Sequence, residues 1–209
     1  MMLQKSFNKY STGDAAIRKA LKIELSRKHA SDRELRIIEE LGIRHGVTRI
    51  DIAVVNGVLH GYEIKSDLDT LERLPEQMHE YNSVFDQITL VVGKKHLYHS
   101  INIIPEWWGI TIAKVNTDNS VVFNCIREAQ DNKERESVSI ARLLWREEAL
   151  QILEDRNEAV GYRSKPRSVI YEKLADVLDQ DALRKKVRKT LLSSREGWRP
   201  DSLLVLNGG

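Results

Sequence analysis

The feature that most constrains this chain is a change of hydrophobic period around Asn56-Gly57. Residues 49–55 alternate and are β-branched, the pattern of a half-buried strand. Asn-Gly is a strong hairpin signal, because both residues accept positive φ. Residues 58–65 return as a second strand. Leu71, Leu74, Met78 and Tyr81 then recur at helical spacing, with Pro75 either kinking that helix or sitting in its first turn. Residues 88–92 form a short continuous apolar run, the mark of a buried strand. A helix between two such strands is a crossover, so strands 58–65 and 87–92 are expected to be parallel neighbours.

The flanks extend this α/β reading. Ser11 and Asp14 open a helix over residues 12–28, with Ile17, Leu21 and Leu25 on one stripe. Ser31 and Glu34 form a second capping box, and Leu35, Ile38 and Leu41 predict a helix over 31–41 that stops at Gly42. A short helix is expected over 94–103. Residues 109–115 and 120–126 read as a hairpin around Thr117-Asp118-Asn119, and 139–155, 168–178 and 181–194 as helices. The expected architecture is a mixed central sheet of about five strands flanked by helices. The α/β core would occupy residues 1–135 and an α-helical C-terminal extension residues 136–209.

Composition narrows the class of function. Of 209 residues, 41% are apolar, enough for a buried core, and 33 Lys and Arg against 31 Asp and Glu give a net charge of +2. That balance excludes a purely electrostatic polyanion binder but not a local basic patch. Residues 161–199 hold eleven Lys and Arg against five Asp and Glu. A lone cysteine, Cys125, rules out an intrachain disulfide, and its apolar surroundings predict a buried, inert thiol. His96 and His99 have no third ligand nearby, and Trp107-Trp108 reads as core. The polar N-terminus and the lack of a long apolar run predict a soluble, cytoplasmic protein with no membrane partner.

The chemistry-bearing residues are Asp51 on one strand, Glu63 and Lys65 on the next, and Gln77 on the helix beyond. Glu63 and Lys65 are two apart, so they share one face. Two carboxylates and an ammonium suit a hard divalent ion, Mg²⁺ or Mn²⁺, that activates a water while the lysine orients it. Register tests this. A two-residue Asn56-Gly57 loop pairs Val55 with Val58, puts Asp51 opposite Tyr62 and turns Glu63 away. A three-residue loop, Val55-Asn56-Gly57 with Gly57 left-handed, instead puts Asp51 opposite Gly61 with Glu63 as its diagonal neighbour. The expectation is this loop, or a bulge elsewhere in the hairpin.

Asp51, Glu63-Ile64-Lys65 and Gln77 in this order resemble the core of the PD-(D/E)XK nuclease superfamily, the restriction-endonuclease-like fold. The resemblance covers residues 30–93, with Ile50 in place of the motif's proline. It implies that Asp51, Glu63 and a helix-borne Glu40 (or Glu39) hold Mg²⁺ or Mn²⁺, that Lys65 is catalytic and that Gln77 positions the site. It also implies a metal-dependent endonuclease hydrolysing phosphodiester bonds in DNA, compatible with a homodimer. The alternative is a non-catalytic nucleic-acid-binding or regulatory protein on the same fold, acting through its basic C-terminal helices. In that reading Arg73 and, on the last helix, Arg184, Lys185, Arg188 and Lys189 contact phosphate. Leu183, Val187 and Leu191 form the buried stripe of the same helix.

Overall fold

The computed structural model describes residues 13–118 and 120–193. Ser11, the hairpin tip at Asn119 and the basic residues 195 and 199 therefore lie outside the described residues. The elements run α1 (Asp14–Lys28), β1 (Arg36–Ile43), β2 (Thr48–Val55), β3 (Leu59–Lys65), α2 (Leu74–Asn82), β4 (Gln87–Gly93), α3 (Leu97–Ile103), β5 (Gly109–Val115) and β6 (Val121–Arg127). Four helices follow: α4 (Ser137–Ala141), α5 (Arg146–Glu154), α6 (Arg167–Val177) and α7 (Gln180–Leu192).

The strands form one six-stranded mixed sheet in chain order. The first three make an antiparallel meander, and α2 carries the chain over to β4, which lies parallel to β3 as the crossover argument expects. β5 is parallel to β4, and β6 returns antiparallel. On one face α1 buries Ile17, Leu21 and Leu25 against Ile52, Val54, Tyr62, Ile64 and Val91. The larger core lies on the other face, where Ile50, Leu90 and Val92 of the sheet join Tyr171, Leu183, Val187 and Leu191 of the C-terminal helices. Trp108 is buried in that core and donates its indole N–H to Asn82 Oδ1 at 2.9 Å.

The helix expected over 31–41 is the edge strand β1. Its apolar spacing imitates a helix for a local reason. Glu40 has φ +52°, and there the strand changes face, so Ile38 and Leu41, three apart, enter the same core. β2 shows the same switch: Ile50 and Ala53 share one core while Ile52 faces the other. β1 and β2 pair in a single register that sets Glu40 against Asp51, so the two kinks coincide.

The β2–β3 loop has three residues and Gly57 at φ +101°, but it starts one residue later than expected. Val55 pairs with Leu59, and the Asn56 N–H reaches Val58 O at 3.2 Å. Gly61 therefore opposes Ala53 instead of Asp51. It leaves room for side chains rather than an ion: a Cβ there would stand 3.1 Å from Phe85 Cδ1 and would overlap Ile50. Two smaller expectations also change. The helix over 139–155 divides into α4 and α5, because Leu143 and Leu144 turn into the core between them. Cys125 is exposed on edge strand β6, its Sγ 3.2 Å from Glu128 Oε1.

Asp86, just before β4, ties the helical layer to the sheet. Its buried carboxylate accepts the Leu59 N–H at 2.8 Å and pairs with Arg184 at 2.7 Å, Arg188 at 3.4 Å and Arg135 at 3.6 Å.

Candidate functional site

α1, β1, β2, β3 and α2 converge on an open polar cleft of about 510 Å³ at one end of the sheet. Strand alternation points Glu63 and Lys65 to the α2 side, where Gln77 and Tyr81 are one helical turn apart. Glu63 is 2% exposed. Its Oε1 accepts from Lys65 Nζ at 2.8 Å and from Gln77 Nε2 at 2.7 Å. Its Oε2 lies 2.8 Å from the Tyr81 hydroxyl, which is also 2.7 Å from Arg49 O. Gln77 Oε1 accepts a further bond from Lys65 at 3.0 Å, so the amide locks the ion pair from both ends.

Asp51, midway along β2, lies beside Glu63. Its Oδ2 accepts the Ile64 N–H at 2.7 Å, and its Oδ1 accepts Arg18 Nη2 from α1 at 2.6 Å. Arg18 also pairs with Asp14 at 3.2 Å and with Glu40. Burial and the neighbouring Glu63 push Asp51 up to about 7, against the pull of the Ile64 N–H and Arg18. Burial disfavours the Arg18 charge, yet Asp51, Glu40 and Asp14 hold its basicity above the ordinary range. Burial and then Glu63 keep the Tyr81 hydroxyl firmly protonated.

The structure thus gathers Asp51, Glu63, Lys65, Gln77 and Glu40, with Glu40 on a kinked strand instead of a helix end. Glu39 pairs with Lys22. Arg73 is exposed on the cleft rim. Arg184 and Arg188 are not in the cleft but on buried Asp86, while Lys185 and Lys189 are exposed on α7. Arg18 and the Tyr81 hydroxyl escaped the sequence reading. Tyr81 had a signal, since a buried phenol needs a polar partner and Gln77 precedes it by one turn. Arg18 had only its i,i+4 spacing from Asp14, which does not say over which strand α1 lies.

Among the described residues no group of three or more His, Cys, Asp or Glu is arranged to hold a metal ion. Each of the three acids assigned to the ion is already met by a cation of the chain, Arg18 for Asp51 and Glu40, Lys65 for Glu63. As built, the cleft sets four carboxylates, Asp14, Glu40, Asp51 and Glu63, against Arg18 and Lys65, with Arg18 bridging Asp51 and Glu40.

A family model described as Bacteriophage P4 protein cII matches residues 12–203. The chain is similar to "Protein cII" of Enterobacteria phage P4, 32% identical over 94 residues that make up 45% of this chain and 35% of that protein. The aligned stretch therefore spans well under half of that relative. No solved structure matches the chain. These matches overturn the PD-(D/E)XK resemblance and, with it, the metal-dependent endonuclease and the phosphodiester hydrolysis it implied. The physical reason for the false likeness is local. An Asp, a Glu-x-Lys and a Gln at this spacing also build a closed network of hydrogen bonds and ion pairs, with Lys65 held between Glu63 and Gln77.

Proposed function

The chain belongs to the family of Bacteriophage P4 protein cII, and from that premise we propose that it is a nucleic-acid-binding regulatory protein acting through its basic C-terminal helices. One observation carries the reading. On α7, Lys185 and Lys189 stand one turn apart and exposed, and among the described residues neither these two nor Lys186 has a carboxylate within ion-pair distance. Arg184 and Arg188, on the inner side of the same helix, fasten it to Asp86. The helix therefore docks by its arginines and presents its lysines. Unpaired lysines on a rigid helix are phosphate contacts that position a duplex without reading its sequence.

Double-stranded DNA is the favoured partner in this reading. A cytoplasmic location accompanies it, and no helix among the described residues is long and apolar enough to cross a membrane. As a reading of fold alone, the sheet is proposed to be a restriction-endonuclease-like core. The test is fluorescence anisotropy with labelled duplex DNA, single-stranded DNA and RNA across a salt series. Binding is expected to weaken linearly with log salt, and Lys185→Ala/Lys189→Ala to reduce the slope by about 2. Absence of salt-dependent binding to all three substrates would remove the reading.

A further inference from the structure

We propose a second DNA-contacting surface, carried by Arg142, Lys165 and Arg167, on the rim between the β1–β2 turn and the start of α6. It rests on the nucleic-acid-binding reading above and extends it to the side of the molecule where the cleft opens. The β1–β2 turn is common to both features. Gly46, Val47, Thr48 and Arg49 line the cleft, while His45, beside them, stacks on Tyr171 of α6 with ring centres 5.6 Å apart.

The turn is held in an unusual shape. Arg44, His45 and Gly46 have φ of +51°, +61° and +85°, a left-handed run that non-glycine residues seldom adopt. Two anchors over-determine it: the His45–Tyr171 stack, and Arg44 on Glu80 at 2.6 Å. Tyr171 is itself fixed, buried with its hydroxyl donating to Leu144 O at 2.9 Å. The rim is a built surface.

Its cations lack internal partners among the described residues. Burial, and then Arg167 and Arg142, depress the basicity of His45. Among the described residues, Arg142, Lys165 and Arg167 have no carboxylate within ion-pair distance. Arg146 bonds the backbone carbonyls of Arg163 and of Lys165, the latter at 3.3 Å, and so braces the segment that presents Lys165 and Arg167. The acids nearby have other partners or face outward. Glu148 takes the Trp145 N–H at 2.7 Å, Glu154 holds Arg163 at 2.9 Å, and Glu147 is exposed and 4.0 Å from Arg146. Cations with no internal counter-ion call for an external polyanion. A duplex fits best, because its regular phosphate rows can meet cations without any base being stacked.

The test extends the anisotropy titration to Arg142→Gln/Arg167→Gln and Lys165→Gln. With duplex DNA, the double variant is expected to bind about ten-fold more weakly near physiological salt, with a slope lower by about 2. Lys165→Gln, a change at an exposed side chain that leaves the fold alone, should lower the slope by about 1. Glu147→Gln should tighten binding. Wild-type affinity in both the double variant and Lys165→Gln, while Lys185→Ala/Lys189→Ala loses affinity, would overturn the rim and leave the nucleic-acid reading standing. Failure of the wild type to bind any nucleic acid would remove both. Losses confined to single-stranded DNA or RNA would overturn the assignment to a duplex.

Discussion

At Arg18 a single guanidinium meets three carboxylates, Asp14, Glu40 and Asp51, where the resemblance expected a metal ion. The residue performs the electrostatic task of a bound cation, lowering the repulsion between Asp51 and Glu63 that helps to push Asp51 up to about 7. Removing one partner of such a part-buried set leaves unpaired charge behind, at a cost of about 1–3 kcal/mol. Arg18→Ala is therefore expected to melt several degrees below the wild type in EDTA. Millimolar Mg²⁺ or Mn²⁺ should recover part of that loss in the variant and leave the wild type unmoved. Differential scanning fluorimetry decides this. Equal metal stabilisation of both proteins would show that Arg18 is not the cleft's resident cation.

Among the elements, those whose residue types and turn signals agree were legible from sequence. β2, β3, α2 and β4 form an uninterrupted strand–hairpin–crossover pattern, and that pattern alone brought Asp51, Glu63, Lys65 and Gln77 to one end of the sheet. β1 was not legible, since the face switch at Glu40 gives a strand the apolar spacing of a helix. The capping signal at Ser31 and Glu34 then agreed with the wrong element, and pairing with β2 overrode it. The basic face of α7 was visible as a face, but its division was not. Which arginines turn inward depends on Asp86, about a hundred positions earlier, and no local pattern links them. The division makes a prediction. Asp86→Ala leaves the guanidiniums of Arg135, Arg184 and Arg188 without their shared partner, which should destabilise the fold by about 3–5 kcal/mol. Hydrogen exchange should quicken first in α7. A loss below about 1 kcal/mol would mean that apolar packing by Leu183, Val187 and Leu191 is enough to dock the helix.

For the whole molecule, a net charge of +2 leaves little global repulsion, so the pH dependence of stability falls to a few enclosed groups. Two of them oppose each other. His60 lies between Thr89 Oγ1, at 2.9 Å, and the Tyr62 ring, 4.3 Å away centre to centre. Burial, then Lys28 and His29, push it down to about 3, so it stays neutral in the folded chain. Below about pH 6.5 the unfolded chain binds a proton there that the folded one does not. Stability from His60 is therefore present above pH 6.5 and is lost as pH falls, by about 2 kcal/mol at pH 5. Asp51, raised to about 7, works the other way. The folded chain keeps a proton that the unfolded one releases near pH 4, so its contribution is present at low pH and is lost as pH rises towards 7. The two slopes nearly cancel between pH 4 and 6.5, and the wild type is expected to show a flat urea midpoint across pH 5, 6 and 7. His60→Asn keeps a polar group beside Thr89 but removes the titration, so only the Asp51 slope remains. That variant should lose stability steadily from pH 5 to pH 7, by about 1–3 kcal/mol. Parallel profiles for the two proteins would mean that His60 titrates alike in the folded and unfolded chains, and that the polar pocket around it is open to water.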